Sequence, residues 1–332
     1  VADTAIEWAD KVWNPTTGCD RVTPGCDNCY ALTMAGRLKG MGSAKYQTDG
    51  DPQTSGPGFG LTVHPDALEA PLRWRKPRRV FVNSMSDLFH AKVPDRFLAQ
   101  VFAVMHDAEQ HTFQVLTKRH GRMRSLLSSE RFHDLVVGEL ATLRVAEEHY
   151  QNPCLRWPLP NLWLGVSVED QQRADLRIPA LLDTPAAVHF LSCEPLLGPV
   201  DLDRYLTLAP RLDKGWCSTA NRFMDRVDDC KCKSSHGNTY GHRIDWIIAG
   251  GESGRKARPV DQLWVRSLRD QAVAARVPFH FKQWGQWAPD GDHPDRSINH
   301  SMVLCRSKEE AGRVLDGRTW DEFPLNEVRW PR

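Results

Sequence analysis

The chain has 332 residues, long enough for one large core or two smaller ones, and its 41% hydrophobic and 26% charged content is that of an ordinary globular protein. Lys plus Arg (43) nearly cancels Asp plus Glu (42), leaving a formal charge of +1, so contact with nucleic acid would have to rest on a local basic patch. No run approaches the roughly 20 apolar residues that span a bilayer, which argues against a helical membrane protein. The chain opens without an apolar signal stretch and carries nine cysteines, an odd number. The expectation is a cytoplasmic protein with reduced thiols, where clustered cysteines hold metals more often than they form disulfides.

In chain order, Val12-Trp13 reads as a first strand, followed by Asn14-Pro15 and a loop carrying Cys19, Cys26 and Cys29. A helix is expected from about Tyr30. Residues 41–76, rich in Gly, Pro and Asp, read as an elaborated lid or edge. A β-then-α rhythm follows. Val80-Phe81-Val82-Asn83 leads to Ser84-Met85-Ser86-Asp87 and a helix over Pro94 to Ala108. Thr112 to Leu116 leads to Thr117-Lys118-Arg119 and a helix opening near His120. Leu162 to Val166 leads to Ser167-Val168-Glu169-Asp170 and a helix to about Leu182. Ala187 to Leu191 leads to Ser192-Cys193-Glu194-Pro195. Ile244 to Ala249 leads to Gly250-Gly251-Glu252-Ser253-Gly254 and a helix over 261–275, and Pro278 to Phe281 leads to Lys282-Gln283-Trp284-Gly285.

Near-continuous apolar strands alternating with helices predict a parallel sheet covered by helices. About seven strands suit a partial or complete TIM-like (β/α) barrel with inserted loops better than a six-stranded open sheet. Residues 1–287 would form this α/β unit, with insertions at 41–76 and 208–242. Residues 288–332 would be a peripheral extension anchored by Trp320 and Trp330. Polar residues fall repeatedly at the C-terminal ends of the strands, where barrels and open α/β sheets alike place their sites.

The three clustered thiols have the spacing Cys-x6-Cys-x2-Cys, with no fourth cysteine nearby. Structural zinc and closed four-iron clusters both take four protein ligands. Three thiolates holding three irons of a four-iron cluster would leave the fourth iron free to chelate a small molecule. Three-cysteine zinc completed by a distant histidine, and unrelated core cysteines, are the competing readings.

The three-cysteine loop after a first strand, with Tyr30 beside the last cysteine, resembles the radical S-adenosylmethionine (SAM) superfamily. Its usual pattern has three residues between the first two cysteines, and this chain has six. The chain also resembles a phage- and bacteria-associated family of uncharacterised function. That likeness runs over about 8–287, in Trp13-Asn14-Pro15-Thr16-Thr17-Gly18-Cys19, Cys26-Asp27-Asn28-Cys29-Tyr30, Asn83 to Phe89, Leu116 to Arg119, Gly165 to Glu169, Ser192 to Leu196, Gly250 to Gly254 and Phe281 to Gly285. The superfamily resemblance implies a 4Fe-4S cluster at the mouth of a barrel, held by Cys19, Cys26 and Cys29. It also implies reductive cleavage of SAM to methionine and a 5′-deoxyadenosyl radical that abstracts hydrogen from a substrate. Ser84, Ser86 and Asp87 would meet the SAM amino group, and Ser167 and Glu169 the ribose. Gly250 and Gly251, with Glu252 and Trp284 beside them, would approach the adenine or methionine portion. An external reductant protein would supply the electron.

On the substrate side, Lys118 and Lys282 can bind a carboxylate or phosphate, or else pair with Glu194 or Glu252. Cys193 is either a hydrogen-atom donor or a core thiol, and Trp284 either stacks on a ligand or packs in the barrel. Two basic runs, Arg73-Trp74-Arg75-Lys76-Pro77-Arg78-Arg79 and Lys118 to Arg124, would suit the phosphates of DNA or RNA, with Trp74 to stack on a base. In the 208–242 insertion, Cys217, Cys230, Cys232 and His236, with His242 as alternate, form a candidate structural zinc site. Two functions stay open: a radical SAM enzyme, and a metal-stabilised nucleic-acid-binding protein that cleaves no SAM.

Overall fold

The computed structural model describes residues 4, 6–143, 155–206, 215–217, 222–224, 243–254, 256–290 and 302–324, with the backbone alone for 215–217 and 222–224. Its centre is a seven-stranded parallel sheet that curls into a half-barrel. The strands are β1 (Lys11–Trp13), β2 (Arg79–Val82), β3 (Thr112–Thr117), β4 (Leu162–Ser167), β5 (Val188–Cys193), β6 (Trp246–Gly250) and β7 (Phe279–Gln283). Each pairs in parallel with its predecessor in this order. The crossovers contain α2 (Asp95–Asp107), α3 (His120–Leu127), α4 (Glu130–Leu143), α5 (Gln171–Leu182) and α6 (Gln262–Ala274), while α1 (Tyr30–Gly40) follows the cysteine loop. Among these, α4 was not anticipated, although Phe132, Val136 and Leu140 mark its buried face at helical spacing. Among the described residues, no helix is long and apolar enough to cross a membrane.

Alternation along the strands divides the interior in two. Val80 and Val82, Leu162 and Leu164, and Ile247 and Ala249 point to the helix-covered core. Phe81, Trp163, Phe190, Trp246 and Ile248 point to the other face, where the N-terminal Trp8 packs into them. Trp8 meets Phe81 edge-on at 4.6 Å and Trp246 at 6.2 Å, and Phe323 from the C-terminal part closes on Trp246 at 5.1 Å. Three of the twelve tryptophans, Trp8, Trp163 and Trp246, thus fill the curl of the sheet. Because both faces are buried, the strands read as continuous apolar runs rather than as alternating ones.

The free edge of β7 is covered by the chain beyond residue 302. The amide of Phe281 donates to the Trp320 carbonyl (2.9 Å), and that of Phe279 to a Glu322 carboxylate oxygen (3.0 Å). Trp320 also packs edge-on against Phe279, while Trp330 lies outside the described residues. Covering an edge in this way removes a template for pairing with other chains. In the 208–242 insertion, the described backbone forms a small antiparallel hairpin of Gly215–Cys217 with Arg222–Met224. The side chains of Cys217, Cys230, Cys232, His236 and His242 lie outside the described residues.

Gly165 in β4 sits beside Phe190 of β5, and a Cβ there would lie 2.5 Å from the Phe190 ring. The Phe190 ring is sealed among Trp8, Trp163 and Trp246 and has no free direction in which to move. We expect Gly165→Ala to destabilise the fold by about 1–3 kcal/mol, the usual cost of overpacking, in urea unfolding. An unchanged midpoint would contradict this packing.

Candidate metal centre

The cysteine loop is fastened to the C-terminal ends of the strands from its first residues onward. After β1 the chain runs alongside residues 83–86. Asn83 Nδ2 donates to Thr16 Oγ1 (2.7 Å), Thr16 Oγ1 donates to Ser86 Oγ (3.0 Å), and Ser86 Oγ donates to the Gly18 carbonyl (2.7 Å). The Gly18 amide closes the set by donating to the Met85 carbonyl (2.9 Å). Gly18 has φ +85° and packs so closely on residue 60 that a Cβ would lie 2.2 Å from the Gly60 carbonyl oxygen. Pro24–Cys26 then forms a single 3-10 turn, and Cys29 is the N-cap of α1, at the positive end of its dipole.

Three carboxylates hold the rest of the loop. Glu169, just beyond β4, accepts a hydrogen bond from Thr23 Oγ1 (2.8 Å) and pairs with Arg177 (2.8 Å) and Lys118 (3.4 Å). Gly25 lies directly on it, since a Cβ at residue 25 would be 2.5 Å from the Glu169 side chain. Glu252, just beyond β6, accepts from Asn28 Nδ2 (2.9 Å) and is clasped by Arg258 (2.7 Å), whose guanidinium also donates to the Pro24 carbonyl (2.9 Å). Asp20 in the loop accepts from Thr54 (2.8 Å) and Ser55 (3.1 Å) of the 41–76 segment and meets His90 Nε2 at 2.9 Å. The 41–76 segment contributes a further anchor through Thr17 Oγ1 and His64 Nε2 (2.8 Å).

Cys19, Cys26 and Cys29 line one cavity of about 140 Å³ at these strand ends. Phe59, Phe81 and Leu116 supply its apolar wall, and Asn83, Ser84 and Ser167 supply polar atoms. Asn83 is buried, holds φ +54°, and its Oδ1 has no hydrogen-bond partner. A non-glycine residue in the left-handed region with an unpaired buried acceptor costs free energy twice over, and such features cluster where ligands bind.

Three thiols lining one cavity are the kind of donors an open iron–sulfur site would use. Among the described residues, no three His, Cys, Asp or Glu side chains converge as ligands of a single ion would. Three thiolates of a four-iron cluster bind three different irons and need no common point. Burial pushes the Cys19 thiol up to about 12, with Asp87 adding to the rise and Arg119 opposing it, and burial raises Cys29 as well. Burial thus favours the protonated form of both thiols, and any metal they took up would have to displace those protons.

The remaining expected residues fall into two groups. Ser84, Ser86, Asp87, Lys118 and Ser167 line the cavity with the cysteines. Asp87 spends its oxygens on Thr117 Oγ1 (2.7 Å) and the amides of Phe89 and Lys118 (both 3.0 Å), tying strand ends together. Glu169 and Glu252 grip the loop as described. Lys282 and Glu194 pair with each other at 2.6 Å, which is the ion-pair alternative for that lysine. Cys193 is fully buried in the helix-side core, away from the cavity lining. Gly250 and Gly251 let the loop after β6 approach β7, since a Cβ on Gly251 would overlap the Trp284 carbonyl. Trp284 is buried against Phe281 at 4.7 Å and donates its indole N–H to the Val314 carbonyl (2.9 Å).

Thr23, Asn28, Arg177 and Arg258 were not singled out from the sequence. Asn28 lay in plain view between Cys26 and Cys29. Arg177, on a helix eight residues beyond Glu169, and Arg258, in an irregular stretch, carried no local signal. The basic runs separate in space. Arg79 starts β2 and pairs with Asp10 (3.1 Å), and Trp74 packs on His111, whereas Lys118 to Arg124 follows β3 at the opposite end of the sheet. In the second run Lys118, Arg119, Arg122 and Arg124 face Glu169, Asp87, Asp95 and Asp183.

Burial pushes the Glu169 carboxyl up, but Lys118, Arg177 and the Thr23 hydroxyl outweigh it and hold the group below its ordinary value of 4.5. The depressed value means that its stabilisation is present in full above 4.5 and is lost as pH falls through the lower folded value. Glu169→Gln should therefore cost about 3–5 kcal/mol near neutrality. The gap between variant and wild type should close below pH 4.5 in urea unfolding, and a gap independent of pH would contradict this assignment.

No curated protein and no solved structure matches the chain. A family model described as a protein of unknown function (DUF5131) matches residues 3–324. With the match spanning nearly its whole length, the chain belongs to the DUF5131 family.

Proposed function

We propose that this protein is an iron–sulfur enzyme that reductively cleaves SAM at the mouth of a TIM-like half-barrel. The observation that carries the reading is that Cys19, Cys26 and Cys29 line one cavity together with Asn83, Ser84 and Ser167, with no fourth cysteine among the described lining residues. Cys19, Cys26 and Cys29 would hold a 4Fe-4S cluster, which when bound would supply the one-electron chemistry for reductive cleavage of SAM, the electron coming from a reductant protein.

The chain's own residues bind, orient and shield. Asn83 Oδ1, fixed as an acceptor because its amide nitrogen donates to Thr16, would accept an N–H of the SAM amino group. Ser167, on the next but one strand, is placed for the ribose hydroxyls. Phe59, Phe81 and Leu116 exclude water from the cavity where a radical would otherwise be quenched. Glu169 and Glu252 keep the loop in register with the strand ends. Cys193 is left out, because a hydrogen-atom donor has to touch the substrate radical and this thiol is sealed in the core. A metal-stabilised nucleic-acid-binding protein draws less support, since Trp74 is packed and the second basic run is engaged within the chain.

The test is anaerobic reconstitution with iron and sulfide, then assay of 5′-deoxyadenosine from SAM with a strong reductant. Wild type should form the product. Cys26→Ala should form none while keeping its circular dichroism and melting temperature. A verified, reduced four-iron cluster that yields no 5′-deoxyadenosine would refute the reading.

A further inference from the structure

The three thiols do not receive the same donors. Cys29, the N-cap of α1, takes the backbone amides of Ala31 and Leu32 in the first turn. Cys26 lies 3.9 Å from Thr23 Oγ1, but that hydroxyl gives its proton to Glu169 (2.8 Å) and has none left for sulfur. Cys19 meets a full positive charge, for Arg119 Nη2 donates to its Sγ (3.9 Å). Among the described residues, Cys19 is the one of the three with a cationic donor.

Several contacts fix Arg119 in this place. It is the N-cap of α3, its amide donates to Thr117 Oγ1 (2.8 Å), and its Nη2 also donates to the Asp20 carbonyl (3.2 Å). One turn on, Arg122 donates to the carbonyls of His90 and Val93 and pairs with Asp95, while His90 meets Asp20. The Arg119 side chain is 18% exposed, and its Nε is buried without a hydrogen-bond partner, 4.0 Å from Asp87 Oδ2. A buried guanidinium N–H lacking an acceptor is costly, and a thiolate or sulfide beside it would supply one. Lys118 lines the cavity and Arg119 does not, so Arg119 reaches Cys19 from outside the space left for a ligand. Burial and Asp87 both disfavour negative charge on the Cys19 sulfur, and Arg119 opposes them.

We propose that Arg119 is a positioning residue that acts through Cys19, holding its thiolate and raising the reduction potential of the cluster, an inference that rests on the proposed iron–sulfur chemistry. Hydrogen bonds and charges at the ligating sulfurs are among the levers by which a protein sets such a potential. Reduction adds one electron to the cluster, taken from the external reductant. Arg119 neither gains nor loses a proton, because a guanidinium stays charged. Its fixed charge therefore favours the reduced state, which carries the added negative charge.

The experiment is a mediated redox titration of the reconstituted cluster without SAM, using dithionite as reductant and electron paramagnetic resonance as readout. It compares wild type with Arg119→Gln, Arg119→Lys and Arg124→Gln. At the wild-type midpoint, Arg119→Gln should lower the ratio of reduced to oxidised cluster about tenfold, a fall of about 59 mV for a one-electron couple. Arg119→Lys keeps the charge and loses the fork. It should lower the ratio about threefold, and it carries the test if the Gln variant takes up no cluster. Arg124→Gln removes an equal charge from an exposed position on the same helix and should leave the ratio unchanged. The Arg119 shifts should persist at high salt, because the contact is largely buried. Equal ratios in wild type and the Arg119 variants would overturn the inference and leave the enzyme reading standing, since a purely structural role moves the melting temperature and not the potential. An equal shift in Arg124→Gln would overturn it too, by assigning the effect to net charge. A wild-type protein that assembles no four-iron cluster would remove the enzyme reading and this inference with it.

Discussion

The grip of Glu169 and Glu252 on the cysteine loop is the constraint on which the rest of the site depends. The loop is irregular and largely polar, and only Cys19 and Cys29, whose thiols burial pushes toward the protonated form, pack on the small apolar cluster beneath it. It is held because two carboxylates rise from the ends of β4 and β6 and accept hydrogen bonds from Thr23 and Asn28 on either side of Cys26. Each carboxylate is neutralised from behind by its own arginine, Arg177 or Arg258. Breaking one partner of such a buried set costs more than the pair contributes, so the arrangement confers position more than stability. Gly25 lets the loop lie flat on Glu169, which brings the three thiols to one cavity.

Beneath this rim the half-barrel supplies rigidity. Trp8, Phe81, Trp163, Phe190 and Trp246 fill the curl of the sheet, and the chain beyond residue 302 seals the β7 edge. The inward-facing residue changes from aromatic to polar in the last layer, from Phe81 to Asn83 in one strand and from Trp163 past Gly165 to Ser167 in another. A dry, packed floor under a polar rim lets Asn83 keep a strained backbone and an unpaired acceptor. It also fixes α1, whose first residue follows Cys29, with one face on the loop and the other in solvent.

The strands were legible because burial on both faces leaves near-continuous apolar runs. The seven expected strands all form, with β5 extending through Ser192 and Cys193 and β6 starting at Trp246 instead of Ile244. Clustering of the thiols was legible from spacing alone, and the cavity lining by Ser84, Ser86, Asp87, Lys118 and Ser167 followed from their places at strand ends. What each side chain does there was less so. Asp87, Glu252 and Lys282 have the polar character of ligand-binding groups, yet their atoms are taken by Thr117, Arg258 and Glu194. The Lys282–Glu194 pair, 88 residues apart, was one of the two readings the sequence left open for that lysine, whereas Thr117 and Arg258 were not named as partners of Asp87 and Glu252. Trp284 was equally ambiguous until the Val314 carbonyl came to its indole nitrogen.

The central claim is that the loop holds a four-iron cluster with one iron left for a small molecule. The most direct measurement is the electron paramagnetic resonance spectrum of the reduced, reconstituted protein with and without SAM. The account predicts a four-iron signal whose g-values shift when SAM is added, because the ligand binds the iron that no cysteine holds. A four-iron signal unmoved by saturating SAM would mean a site closed by a fourth protein ligand and would contradict the account.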